Sequence, residues 1–509
     1  MKHVLAALLG LAVMAPLAAR ADPAADCAGI AQSKIEVTNL LSATVMPAKD
    51  GLPEHCRVLG FVRPAINFEI RLPTAGWNGK FMMAGCGGFC GSLDSDRPGQ
   101  VNAMNHGLRR GYAVATMDSG HWGSTATDGR WAMNNPVAIA DWGWRAVTEA
   151  TRVSKAVIKT FYGTAQQKAY FNGCSNGGRQ ALMEASRFPD DYDGIIAGAP
   201  AMDAVGIFGA LFPHLLQANT GADGKPVFTN AKLNVLKQLV TAGCADADGL
   251  VQDPRACKIK PATMACHPGD LAETCFTPAE VATLDKWYAG PVTKAGKPLY
   301  SGGIPAGSEV FWPAWLTGTT TPEGADMVFG REFLRYVGFP VAPGALFEPA
   351  RDYNIERDFA KLAPLAGVYS SSHPDLSKYN GRGGKLIIYQ GWADAIVTPL
   401  RTVDYYNDVT KAAGGRANTE KFARLFMVPG MDHCGGSNAG AGIDQRGFDP
   451  LTALENWVEK GQAPAELVTT KLDAGGKPKW SRPVCAFPRS PKLKPGADPA
   501  AAGSYSCEG

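Results

Sequence analysis

Two short runs of this chain hold residues able to do nucleophilic chemistry. Phe171-Asn-Gly-Cys-Ser-Asn-Gly-Gly178 places Ser175 beside Cys174, and Pro429-Gly-Met-Asp-His-Cys434 places His433 beside Cys434. A serine hydroxyl attacks a carbonyl only when a base takes its proton, and imidazole is the usual base. If Cys174 and Cys434 were bonded, their Cα atoms would lie about 4.4 to 6.8 Å apart, and Ser175 would be drawn to His433 across a long stretch of chain. Gly173 to Gly177 fits Gly-x-Ser-x-Gly, the sharp strand-to-helix turn that exposes a serine above a sheet. The competing reading is a glycine-rich surface turn.

The chain order of such a site is serine, acid, histidine, and Asp394 occupies the middle place. In that assignment His433 takes the Ser175 proton as the hydroxyl attacks an ester, then delivers it to the leaving alcohol, while Asp394 holds the imidazole tautomer. Asp432 is the rival acid, although an immediate neighbour of His433 rarely reaches round to the ring. His121, in Asp118-Ser-Gly-His121, is the strongest competitor among eight histidines. It lies on the wrong side of Ser175 in the chain and is read as a wall or structural residue. The amide of Asn176, directly after the nucleophile, would donate to the oxyanion. A second donor would come from the glycine loop Gly85 to Gly88, with Gly85 as the candidate; the plainer reading is a tight turn closed by Cys86 and Cys90.

The elements that must position these groups follow from hydrophobic pattern. Ile66, Phe68, Ile70 and Leu72 alternate with Asn67, Glu69 and Arg71, the period of a half-buried strand. Phe81 to Ala84 and Gly111 to Thr116 are further short strand candidates. A helical stretch runs from Pro136 toward Tyr162, Ala169 to Asn172 leads into the Ser175 turn, and Arg179 to Arg187 is helical. Leu386 to Tyr389 leads to Asp394, and Arg424 to Val428 leads to His433. Strands alternating with helices predict a largely parallel α/β sheet. The stretch 204–375 breaks the rhythm, being rich in Gly, Pro and aromatics, and reads as an insert between two parts of the core, 22–203 and 376–509. Within it, Thr277-Pro-Ala-Glu280 has a capping-box pattern. The tail after Pro491 would fray unless Cys485 and Cys507 tie it down.

With 509 residues, 45% hydrophobic and 19% charged, the composition is that of an ordinary globular protein. Residues 1–21 read as a cleaved secretory leader, with an apolar run from Val4 to Ala19 and small residues at Ala19-Arg20-Ala21. A membrane anchor is the rival, but the run is short for a spanning helix. Of the formal +3, Lys2 and Arg20 lie in that leader, leaving +1 for the remainder, too little for a nucleic-acid or membrane-surface footprint. Export lets disulfides persist. All 12 cysteines follow the leader. Sequence does not fix their connectivity, but spacing suggests Cys27 with Cys56, Cys86 with Cys90, Cys244 with Cys257, Cys266 with Cys275 and Cys485 with Cys507, which leaves Cys174 for Cys434.

At these residues the chain resembles the tannase and feruloyl esterase family, which includes the hydrolase of terephthalate monoesters. The resemblance spans essentially the whole sequence after the leader: the Cys56 region, the Gly85 loop, Gly-Cys-Ser-x-Gly-Gly at 173–178, Tyr389-Gln-Gly-Trp-Ala-Asp394, His433-Cys434 and the C-terminal cysteine pair. It implies an α/β-hydrolase core with a large inserted lid, the triad Ser175, Asp394 and His433, a Cys174 to Cys434 disulfide, and no cofactor for catalysis. It also implies a structural Ca²⁺ in the lid, where Asp246, Asp248, Asp253 and the Leu250 carbonyl would be the ligands, since hard oxygen donors suit calcium. This loop is shorter than the family pattern and lacks one acidic turn, so a solvated acidic turn stands as the alternative.

The expected activity is that of a secreted or periplasmic serine esterase on esters of aromatic acids, feruloyl esters first, with gallate esters and terephthalate monoesters as variants. Phe311, Trp312, Trp315, Phe329 and Phe333 supply apolar walls for an aromatic ring, or else the lid's own core. Arg331 and Arg335 could grip a substrate carboxylate, or be exposed helix charges. A non-catalytic phenolic-binding protein and a thiol or redox protein using Cys174 or Cys434 are the readings from other classes. Neither nucleic acid nor membrane is an expected partner of the chain after leader removal, and oligomeric state has no signal here.

Overall fold

The computed structural model describes residues 23–319, 323–437 and 439–509; the leader expected at 1–21 lies outside them. A nine-stranded sheet runs through the molecule. Its strands are β1 (Thr38–Met46), β2 (His55–Val62), β3 (Ile66–Pro73), β4 (Lys80–Ala84), β5 (Ala113–Met117), β6 (Lys168–Cys174), β7 (Gly194–Gly198), β8 (Lys385–Gly391) and β9 (Ala423–Val428). Their order is β1-β2-β3-β5-β4-β6-β7-β8-β9. The first three pair antiparallel and β3 joins β5 antiparallel; β5, β4, β6, β7, β8 and β9 are mutually parallel.

Successive side chains of a strand point to opposite faces. Phe81 and Met83 accordingly enter one apolar cluster and Met82 and Ala84 the other, so both sheet faces are covered. The helix Ala146–Tyr162 buries Ala150, Val153, Val157 and Phe161, and the helix Pro450–Lys460 buries Leu454 and Trp457. Burial on both faces explains why the parallel strands read as apolar runs.

The alternation in β3 predicts a solvated polar face, but Glu69 and Arg71 are buried. Arg57 and Arg71 both bind the Glu69 carboxylate, at 2.8 and 2.7 Å, and Arg71 also reaches Asp96 at 2.9 Å. Opposite charges on adjacent strands satisfy one another under the loop that follows β4.

The chain between β7 and β8 contributes no strand to the sheet among the described residues. It is mostly short helices around an aromatic centre in which Trp287 meets Trp312 edge to face at 5.2 Å. The Thr277 capping box forms, with Glu280 N–H donating to Thr277 at 3.2 Å and Thr277 N–H to Glu280 at 2.8 Å. The tail follows the hairpin of β10 (Glu466–Leu472) and β11 (Pro478–Cys485) and is tied twice, by pairing of β12 (Ser490–Leu493) with β13 (Tyr505–Glu508) and by the Cys485–Cys507 disulfide. No helix among the described residues is long and apolar enough to cross a membrane.

Candidate active site

Strand β6 delivers Ser175 to the carboxyl edge of the parallel strands, where a helix, Asn176–Arg187, starts at once. Ser175 has φ 64°, a left-handed conformation that a serine adopts only when its surroundings impose it. The crowding is visible at Gly173, where a Cβ would come within 2.4 Å of the Gly177 carbonyl. Asn102 fixes the turn from below, accepting from Cys174 N–H at 2.9 Å and donating to the Cys174 carbonyl at 3.1 Å.

Asp394 follows β8 and is fully buried. Its Oδ2 accepts from His433 Nδ1 at 2.8 Å and from Gln390 Nε2 at 2.8 Å, and its Oδ1 accepts from the amides of Ile396 and Val397 at 3.0 and 2.9 Å. With Nδ1–H held by the carboxylate, Nε2 is left as the basic nitrogen. Asp432 has no contact of this kind. Its carboxyl accepts from Ser437 N–H at 3.2 Å, and burial pushes it up to about 7, aided by the Asp394 charge.

Six disulfides take up every cysteine, so no free thiol exists for redox chemistry. They join Cys27 to Cys56, Cys86 to Cys90, Cys244 to Cys257, Cys266 to Cys275, Cys485 to Cys507, and Cys174 to Cys434 with Cα atoms 6.0 Å apart. The last one fastens the serine turn to the histidine loop. Ser175 and His433 both line one cleft of about 720 Å³ between core and insert.

The glycine loop corrects the choice of Gly85. Its amide donates to the Asn172 carbonyl at 3.0 Å as an extension of the sheet, and the Cys86 amide donates to Gln180 Oε1 at 3.1 Å. Among the described residues no hydrogen bond uses the Gly87 or Gly88 amide, and both residues line the cleft. The Asn176 amide, in the first turn of its helix, has no carbonyl partner within that helix. His121 is a structural residue. It stacks on Trp131 at 3.8 Å between centroids, donates from Nε2 to the Phe89 carbonyl at 2.8 Å, and burial pushes it down to about 4.

The insert closes the cleft from above. Phe311, Trp315 and Phe329 line it, and Trp315 meets the His433 ring edge to face at 5.5 Å. Trp312 and Phe333 are instead fully buried in the insert. Arg331 pairs with Glu323 and Glu348, and Arg335 with Glu332 and Glu348, so neither guanidinium belongs to the cleft wall. The wall's own guanidinium is Arg97, paired with Asp94 at 3.0 Å.

The acidic loop does not fit calcium. Asp246 accepts from the amides of Asp248 and Leu250, Asp248 pairs with Arg482 at 2.7 Å, and Asp253 pairs with Arg255 at 2.6 Å. The Leu250 carbonyl accepts from Asp246 N–H at 2.9 Å. Each expected ligand is taken by a different partner, and among the described residues no cluster of three or more His, Cys, Asp or Glu could hold a metal ion.

Sequence reasoning missed Asn102, Gln390, Arg179 and Gln180. Gln390 had a signal, since it stands in the run that leads to Asp394; Asn102 had none, because its partner is 72 residues away.

Comparison with known proteins places the chain in one family. The family model described as tannase and feruloyl esterase matches residues 53–508. An uncharacterized esterase of Xanthomonas campestris is 34% identical over 94% of this chain and 90% of its own length. A mono(2-hydroxyethyl) terephthalate hydrolase of Piscinibacter sakaiensis is 33% identical over 90% of this chain and 85% of its own. Among solved structures, feruloyl esterase B from Aspergillus oryzae superposes with a TM-score of 0.82 at 25% identity, covering 96% of this chain and all of that one.

Proposed function

This chain is an esterase that belongs to the tannase and feruloyl esterase family, and from that premise we propose that it cleaves esters of aromatic acids, feruloyl esters foremost, through a Ser175 acyl-enzyme. The observation that carries the reading is the His433 Nδ1 to Asp394 bond of 2.8 Å on a loop that a disulfide fastens to the serine turn. His433 Nε2 takes the Ser175 proton as Oγ attacks the ester carbonyl, and the carbonyl oxygen becomes an oxyanion. The Asn176 amide and the unengaged amides of the Gly87–Gly88 loop are the donors proposed for that oxygen, and fixed donors of this kind stabilise the charge as it develops. Collapse expels the alcohol, which receives its proton from His433, and a water deprotonated by His433 then releases the acid.

Aromatic acids suit the cleft because Phe311, Trp315 and Phe329 offer flat apolar walls beside the reacting atoms. With Arg331 and Arg335 engaged inside the insert, a terephthalate monoester would have to place its carboxylate elsewhere. The six disulfides support an oxidising compartment, periplasmic or extracellular. The test is hydrolysis of methyl ferulate, methyl gallate and mono(2-hydroxyethyl) terephthalate by the purified protein, with Ser175→Ala as control. Methyl ferulate should give the highest kcat/KM. Turnover of none of the three, or equal turnover by the control, rejects the proposal.

A further inference from the structure

The cleft has two kinds of wall. The insert contributes Phe311, Trp315 and Phe329, whereas the core contributes a polar loop, just after the Cys86–Cys90 bridge, that supplies Ser92, Asp94 and Arg97. Among the described residues that line the cleft, Arg97 is the only arginine or lysine. Its guanidinium is used on one side alone. Nη1 donates to Asp94 Oδ2 at 3.0 Å, and among the described residues Nε and Nη2 have no hydrogen-bond partner. Those two nitrogens form one edge of the plane, the same edge with which Arg57 grips Glu69 at 2.8 and 2.9 Å. Such an edge matches the two oxygens of a carboxylate. The arginines of the insert have no edge to spare: Arg331 spends Nε, Nη1 and Nη2 on Glu323 and Glu348, and Arg335 spends Nε on the Phe347 carbonyl and Nη2 on Glu348.

The loop that carries Arg97 is pinned at both ends. Its own amide donates to the Asp94 carbonyl at 3.1 Å, and Gln445 Oε1 accepts from the amides of Gln100 and Val101 at 3.0 and 3.2 Å. Gly99 lies so close to Gln445 that a Cβ there would come within 2.5 Å of the same oxygen. The next residue after Val101 is Asn102, which holds the serine turn through Cys174, so the segment presenting the guanidinium ends at the nucleophile. Asp94 does not cancel the charge. The pair is exposed, 43% at Arg97 and 54% at Asp94, and water screens such a pair until it is worth little.

We infer that the Nε and Nη2 edge of Arg97 is an anion subsite of the cleft, and that it selects aromatic esters bearing a carboxylate in addition to the ester that is cleaved. The inference deepens the serine-esterase reading and rests on it. The source of the carboxylate is the acyl ring, as in a terephthalate monoester, or the alcohol, as in a ferulate ester of a hydroxy acid. Two matched pairs separate these sources. Monomethyl terephthalate is set against its carboxamide, methyl 4-carbamoylbenzoate, and carboxymethyl ferulate against carbamoylmethyl ferulate; each pair exchanges a carboxylate for a neutral group of the same shape.

The measurements are kcat and KM for all four esters with wild type and Arg97→Gln, and calorimetric affinities of the same esters for Ser175→Ala with and without Arg97→Gln. Arg97 is exposed enough that the substitution leaves the fold intact, which the melting temperature checks. In one pair the acid-to-amide ratio of kcat/KM should fall by about tenfold in Arg97→Gln, carried by KM, because hydrogen bonds to a charged group are among the stronger ones. The amides should change by less than about twofold, and the calorimetric affinities should follow KM. The pair that responds identifies the source of the carboxylate. Ratios that stay within about threefold of wild type in both pairs overturn the inference; so does an equal fall in both pairs, the mark of a diffuse field, and so does a parallel loss for acid and amide, the mark of a structural role. A wild type that hydrolyses none of the four and leaves Ser175 unlabelled by a fluorophosphonate overturns the esterase reading, whereas a wild type that turns over the amides with unchanged ratios overturns the anion subsite alone.

Discussion

At Asp394, three N–H donors and an imidazole converge on one buried carboxylate. In the insert, Asp246, Asp248 and Asp253 lie within eight positions of one another, yet each takes separate partners. Both regions set aspartates beside a cystine. What differs is the reach of the contacts. Cys174 and Cys434 are separated by 260 positions and bind two loops of one site, whereas Cys244 and Cys257, separated by 13, close a single turn. Convergence needs ligands brought in from different elements onto one group; in the insert Asp248 and Asp253 go to separate guanidiniums and Asp246 to neighbouring amides and Gln252. Arg255 adds to that arrangement by lying over Trp392 at 5.1 Å, two residues from Asp394, so the acidic loop fastens insert to core by stacked cations.

The comparison can be broken most severely at the nucleophile. Ser175→Ala should lower ester turnover by about 10⁴-fold or more while the melting temperature holds, read by steady-state hydrolysis and calorimetry. Replacing Cys174 and Cys434 together with serine should reduce kcat by about a hundredfold through misplacement of His433. The loop it releases is long enough that denatured-state entropy is worth about 5 kcal/mol, so chemical denaturation should detect the same change as lost stability.

Asp432 sharpens the contrast with Asp394. Its folded state favours the neutral acid, with a value pushed from 3.8 to about 7. The stability it contributes is fully present below the unfolded value and is lost as pH rises through about 7. In Asp432→Asn that slope should vanish, so the variant's melting temperature should gain on wild type as pH is raised through this window. A difference that stays flat from acid to neutral pH would remove the assignment. The smallest effect belongs to the insert: Arg482→Ala should cost about 1 kcal/mol or less, because Asp248 is 44% exposed and such pairs are weak. Chelation with EDTA should leave the wild-type melting temperature unchanged, and a Ca²⁺-dependent rise would show that the loop can reorganise into a cage.

Much of the site was legible because its signals are local. The Gly-x-Ser-x-Gly spacing fixes a turn too tight for side chains at Gly173, and the apolar runs before Asp394 and His433 become β8 and β9. The alternation of β3 misled, since a period of two distinguishes faces without saying what covers them; Arg57 from the next strand decided that Glu69 is buried. Gly85 was the natural oxyanion choice from glycine content, but strand pairing engaged its amide.

By itself, then, the sequence determined the tight turn at Ser175 and the alternation of strand and helix that leads to Asp394 and His433, features that depend on neighbours within a few residues. Only the tertiary structure decided which loop amides are engaged in hydrogen bonds, which aspartate meets His433 and where the arginines end. Those outcomes are settled by competition among donors and acceptors far apart in the chain. In a buried site each hydrogen-bonding group takes the partner that packing brings within reach.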